Sequence, residues 1–99
     1  MTSGTPEPTE PRWSVYIVSC SDGTLYAGVT TDVTRRVDSH NAGTGAKYTR
    51  TRLPVELVFL EPAVDRGAAL RREHEIKQLP AAEKRHLIAG WAGREQEVF

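Results

Sequence analysis

Glu73 is the residue whose placement most demands chemistry. The stretch 66–78 has a helical period behind an Asp65 cap, and Ala69, Leu70, Ile76 and Glu73 fall together within about a third of its circumference. A carboxylate on an apolar face is expensive to bury unpaired. Two solutions are open. One is an ion pair with Arg36 or Lys77, or a snorkelling edge position. The other is a divalent cation, since a single glutamate completed by water and phosphate oxygens often holds Mg2+ where phosphoryl groups react.

The second set of residues is basic. Between Arg35 and Arg52 stand five cations (Arg35, Arg36, Lys47, Arg50, Arg52) against one acid, Asp38, while Glu7, Glu10, Glu95 and Glu97 lie in the terminal segments. Formal net charge is +0, which argues against binding nucleic acid through bulk potential alone. The local run is either a solvated face or a surface for phosphates.

Two tyrosines complete the inventory, and a hairpin must position them. Residues 13–19 and 25–30 are rich in Val, Ile, Tyr and Thr and flank Ser21-Asp22-Gly23. A two-residue turn would put Val15 and Ile17 on a face with Tyr26, Gly28 and Thr30. A three-residue loop with Gly23 in the left-handed region instead gives one apolar face of Val15, Ile17, Leu25, Ala27 and Val29. The apolar pattern selects the second register. It predicts Val18 opposite Tyr26 and Tyr16 opposite Gly28, with both tyrosines on one side of the sheet.

Thr31 and Asp32 are good caps for a helix over about 32–42. At 100° per residue Arg36 and His40 flank its Val33–Val37 stripe, whereas Arg35 and Asp38 point away. His40 is either a partner for the sheet's polar groups or a surface histidine bonding locally. Gly43-Thr44-Gly45 ends the helix, and 46–52 reads as a basic exposed loop before Pro54. Residues 55–60, VELVFL, form a third strand, apolar enough to be central or covered on both faces. After the helix at 66–78, a last helical segment runs from Pro80 to about Ala89.

Ninety-nine residues with 38% hydrophobic content suit one small domain. The expected divisions are a disordered tail at 1–11, a domain at 12–90 and a C-terminal tail at 91–99. Cys20 is the only cysteine, which excludes an intrachain disulfide and a structural zinc site and fits a reducing interior. No basic-then-apolar leader opens the chain, and no apolar run reaches the roughly 18 residues of a membrane span. The expectation is a cytoplasmic protein without a membrane association. Trp13 and Trp91 read as packing residues.

The ordered set Val15-Tyr16-Ile17, Tyr26-Ala27-Gly28, Arg36, the GAKYTR loop and Glu73 in a RREHEIK helix resembles the GIY-YIG nuclease family, in its stand-alone single-domain bacterial form. The resemblance covers about 13–89. Ser14-Val15-Tyr16 stands for Gly-Ile-Tyr and Tyr26-Ala27-Gly28 for Tyr-Ile-Gly. LIAGWAG replaces a segment in which many members carry an asparagine.

The resemblance implies a small α/β fold of the α+β type, with a three-stranded antiparallel sheet flanked by helices in the order β-β-α-β-α-α. It implies a metal-dependent endonuclease acting on nucleic acid, DNA ahead of RNA, with one Mg2+ or Mn2+. Glu73 would hold the metal, Arg36 would contact the scissile phosphate, and Tyr16 or Tyr26 would orient or deprotonate water, with His40 as a candidate helper. A tyrosine with a pKa near 10 needs Arg36 or metal charge to lower it, or a group to share the task. Arg35, Lys47, Arg50 and Arg52 would bind phosphates, Tyr48 would stack on a base, and Gly28 would let a backbone or phosphate approach closely, or mark a bulge. The competing functions are a nucleic-acid-binding module of this fold with little or no turnover, and a protein-interaction domain.

Overall fold

Alternation of apolar and polar residues sets the sheet. In the computed structural model, which describes residues 12–97 and side chains through residue 92, β1 (Trp13–Ser19) and β2 (Leu25–Thr30) form an antiparallel hairpin. Val18 pairs with Tyr26 and Tyr16 with Gly28, as the pattern requires. Cys20 N–H donates to Thr24 O at 2.8 Å and Gly23 N–H to Cys20 O at 2.9 Å, closing the three-residue loop. Gly23 takes φ +87°, a conformation that favours glycine.

β3 (Glu56–Ala63) pairs antiparallel with β1, giving the order β2-β1-β3. The third strand is therefore an edge, not the centre, and it runs three residues past Leu60. Pro62 fits the edge position, because a residue without an N–H is tolerated where one side of a strand is unpaired. The apolar run in β3 exists because both its faces are covered: Phe59 packs with Val15, Ile17 and Ala27, while Leu57 and Leu60 pack with Tyr16, Val18 and Cys20. A bulge between the Ile17 and Val18 pairings produces the switch of faces.

Helices cover the two faces unequally. α1 (Val33–Asn41) is capped by Asp32, whose carboxylate accepts from Arg35 N–H at 3.1 Å, and its Val33 and Val37 lie on the tyrosine face. Asn41 pins the helix end to the start of β3 by bonding both Val55 N–H (2.7 Å) and Val55 O (3.1 Å). The segment expected as a loop contains a single helical turn, α2 (Lys47–Arg50), with Thr49 buried inside it.

On the other face lie α3 (Arg66–Gln78), capped by Asp65, and α4 (Ala81–Glu97). α3 buries Ala69 and Ile76, but Leu70, placed with them by periodicity, is at the exposed rim. α4 continues well past Ala89 and takes in most of the expected 91–99 tail; Trp91 packs on the core with Leu87 and Ile88. The tail assigned to 1–11 lies outside the described residues. Among those described, no helix is long and apolar enough to cross a membrane.

Candidate active site

Tyr16 sits on the central strand, and a chain of hydrogen bonds is built on it. Its hydroxyl lies 2.9 Å from His40 Nε2 and accepts from Arg36 Nε–H at 3.1 Å. His40 Nδ1 in turn lies 2.8 Å from Thr49 Oγ1. The Thr49 hydroxyl proton is already donated to Ala46 O at 3.0 Å. A hydroxyl has one proton to give, so the bond from His40 runs Nδ1–H to Thr49 Oγ1. Nε2 is then a bare acceptor, and the Tyr16 hydroxyl donates to it. The tautomer follows from the network.

Tyr16, His40 and Thr49 are all fully buried. The surface-histidine alternative for His40 is thereby set aside. Burial pushes the Tyr16 phenol above its ordinary value of 10.0, overriding the bond and charge of Arg36, which pull it down. Arg36 lowers it as expected, but burial outweighs that lowering, which leaves the sharing of the task by another group. His40 is held below its usual 6.5, chiefly by burial and then by the charge of Arg36. Arg36 is raised, first through its bond to Tyr16, and the Tyr26 phenol beside it adds to the effect.

Two glycines make room for this network. A Cβ on Gly28 would stand 2.5 Å from the Tyr16 hydroxyl oxygen and 2.7 Å from its Cζ. The close approach expected at Gly28 is therefore made by the cross-strand tyrosine ring, and not by a phosphate. A Cβ on Gly45 would meet His40 Nδ1 at 2.5 Å.

Tyr26 is half-buried and turns an edge to His40, with ring centroids 5.6 Å apart. Tyr48 stacks on Tyr26 (5.8 Å, 19° between planes), and the Arg52 guanidinium lies 4.0 Å from the Tyr48 ring centroid. Arg52 also bonds Asp22 Oδ2 at 3.1 Å and Tyr48 O at 2.7 Å. It therefore acts as a clasp between the hairpin turn and α2, not as the free phosphate ligand its position in the basic run suggested. Arg35, Lys47 and Arg50 are exposed.

Glu73 reaches the cluster from the opposite face. Its side chain is 19% exposed and one carboxylate oxygen lies 3.3 Å from Lys77 Nζ, which stands 5.9 Å from the Tyr26 ring centroid. The ion pair with Lys77, one of the two solutions open from sequence, is realised. The carboxylate still acts on the tyrosines, since its charge works against ionisation of Tyr16. The residues brought together are thus Tyr16, Tyr26, Arg36, His40 and Glu73.

Thr49, the packing role of Gly45, and Lys84 were missed. Thr49 gave no signal, because it stands in a stretch that reads as an exposed loop and its partner His40 lies nine positions away. Lys84 had none, because nothing in the sequence separates it from Arg85 beside it.

A family model described as the GIY-YIG catalytic domain matches residues 12–86. A UPF0213 protein of Desulfotalea psychrophila is 52% identical over 84 residues, 84% of this chain and 76% of the relative. Another, from Haloquadratum walsbyi, is 62% identical over 73 residues, covering 74% and 82%. The solution NMR structure of a UPF0213 protein from Bacillus halodurans aligns with a TM-score of 0.52 at 44% identity, over 79% of this chain and 83% of that one. That of a protein from E. faecalis gives 0.57 at 34%, over 84% and 88%. The tyrosine pair, the arginine of α1 and the glutamate of α3 all fall within the matched residues, and the chain belongs to the GIY-YIG nuclease family.

Proposed function

We infer that this protein is a metal-dependent endonuclease that hydrolyses nucleic-acid phosphodiester bonds, with DNA as substrate ahead of RNA. The observation that carries the reading is the Tyr16 hydroxyl held between Arg36 and His40 Nε2. A neutral imidazole acceptor, a phenol and a guanidinium in contact are what proton removal from water beside a phosphate requires.

The donor set decides whether a metal fits. Among the described residues no cluster of three or more His, Cys, Asp or Glu surrounds a point, so an all-protein cage is not available. Glu73, partly exposed and engaged by Lys77 at one oxygen, suits an ion that keeps several waters and uses one carboxylate plus substrate phosphate, as Mg2+ and Mn2+ do. When bound, such an ion would polarise the phosphoryl group and stabilise the leaving oxygen.

The chain's own groups supply the proton path. The Tyr16 oxygen is covered by Arg36 in the free protein. Turning the Arg36 guanidinium to a phosphate uncovers it to water while the bond to His40 remains. Water then gives a proton to the Tyr16 oxygen as the phenolic proton passes to His40 Nε2. The water oxygen bonds phosphorus, the P–O bond to the departing strand breaks, and that oxygen takes a proton from solvent. Tyr26 orients the water, and Arg35, Lys47 and Arg50 hold the flanking backbone.

Labelled single- and double-stranded DNA and RNA, incubated with Mg2+, Mn2+ or EDTA, test this. Cleavage should need the metal, favour DNA, and fall by about 100-fold or more in Arg36→Ala and Glu73→Ala. Cleavage that survives both substitutions would remove the nuclease reading.

A further inference from the structure

Beside the reactive cluster, at the outer edge of β2, lies a cleft of about 250 Å³ that shares only Tyr26 with that cluster. Its floor is aliphatic, from Leu25, Ala27 and Ile76, and one wall is the Tyr26–Tyr48 stack. Lys77 and Lys84 stand on the remaining side. Among the described residues Lys84 forms no ion pair, whereas Lys77 is shared with Glu73.

The strand edge adds polar groups of a definite kind. The Cys20–Thr24 bond fixes the alternation along the hairpin, so Val18–Tyr26 and Tyr16–Gly28 are the hydrogen-bonded pairs. Leu25 and Ala27 therefore aim their backbone N–H and C=O away from β1, at an edge that no other strand covers among the described residues. Neighbouring donors and acceptors above an apolar floor and against an aromatic wall match the edge and faces of a heteroaromatic ring. The volume lies below the roughly 300–1,000 Å³ of drug-sized pockets. Its size suits a single base.

We propose that this cleft is a base-binding subsite, which takes one unpaired nucleobase of a nucleic-acid strand and places the adjoining backbone phosphate at Lys84 and Lys77. The proposal rests on the nuclease reading for its setting beside the scissile phosphate and extends it by naming the local substrate state. A duplex whose bases are all paired cannot fill the cleft without extruding one, which costs unstacking energy. The subsite thus favours strands with a bulged, overhanging or otherwise unpaired nucleotide. Base contact with aromatic walls is tolerant of sequence, so discrimination here is by pairing state.

Binding in EDTA tests the proposal without turnover. Two probes are used, a duplex carrying one unpaired 2-aminopurine and the same duplex with that base paired. The wild type should bind the unpaired probe about tenfold more tightly and change its 2-aminopurine fluorescence. Lys84→Glu should abolish the preference and Lys84→Ala should reduce it, while Lys47→Ala weakens both probes equally. Equal affinity of wild type for the two probes, or a preference that persists in Lys84→Glu, would overturn the subsite. Competition by a free nucleoside monophosphate as strong as by the strand would overturn the assignment to a strand. A preference that responds to Lys84 without metal-dependent cleavage sinks only the nuclease reading, and cleavage with no response to Lys84 sinks only the subsite.

Discussion

The Tyr16 hydroxyl and His40 Nε2 lie 2.9 Å apart, and neither side chain is exposed to solvent. Removing the hydroxyl by Tyr16→Phe leaves a buried imidazole nitrogen and the Arg36 Nε–H without their partner. The cost in unfolding free energy should be about 1–3 kcal/mol, read from the urea midpoint. Cleavage should drop by about 100- to 10,000-fold, the usual share of a positioned proton acceptor. Phe at full activity would assign the water to Tyr26.

The pH dependence follows from His40. Its folded pKa lies below 6.5, so in the window beneath that value the unfolded chain binds a proton that the folded chain does not. Stability should therefore fall as pH drops from about 6.5 through the folded pKa, and recover above it. Only neutral imidazole accepts the phenolic proton, so the cleavage rate should rise with pH over the same acid window. Denaturation midpoints and single-turnover rates across that range check both. An acid limb centred above 6.5 would exclude His40 as its source.

Thr49 is a positioning residue, because it fixes which nitrogen of His40 carries the proton. Thr49→Val keeps the shape and removes the acceptor for Nδ1–H. The acid limb of the rate profile should shift or vanish, and stability should fall by about 1–3 kcal/mol. Thr49→Ser should restore the profile. Equal profiles for Val and Ser would reduce Thr49 to packing.

Gly28→Ala puts a Cβ within 2.5 Å of the Tyr16 hydroxyl oxygen. The ring is fully buried, so it cannot swing away freely, and the expected cost is about 1–3 kcal/mol, typical of overpacking. Activity should fall with it as the hydroxyl leaves His40. Chemical denaturation alongside cleavage measures both, and an unchanged midpoint would show that the ring moves at no cost.

Much of this arrangement was legible along the chain. The hairpin register came from alternation alone, Asp32 and Asp65 marked their helix starts, and Glu73 stood out on an apolar face. Local rules sufficed where local chemistry decides the outcome. They failed where residues far apart in sequence meet. His40 and Thr49 are nine positions apart across a glycine-rich turn, so no period links them. The strand glycine read as an opening for a ligand because a cross-strand ring is invisible to a pattern along one strand. Arg52 looked free for phosphate because its partner, Asp22, is thirty positions away in the hairpin turn. β3 read as central or covered on both faces, and the second holds, because covered edges and central strands share one apolar pattern.

Among the described residues, Tyr16 belongs to the one strand paired on both sides. In native-state hydrogen exchange, amides of such a strand are expected to open only with the whole molecule, while a half-buried side chain such as Arg36 moves on far shorter timescales. The phenol of the proton path is therefore carried by the strand expected to open last, while its acceptor and the phosphate ligand come from α1. On gradual heating, the loss of turnover should coincide with the cooperative melting transition instead of preceding it.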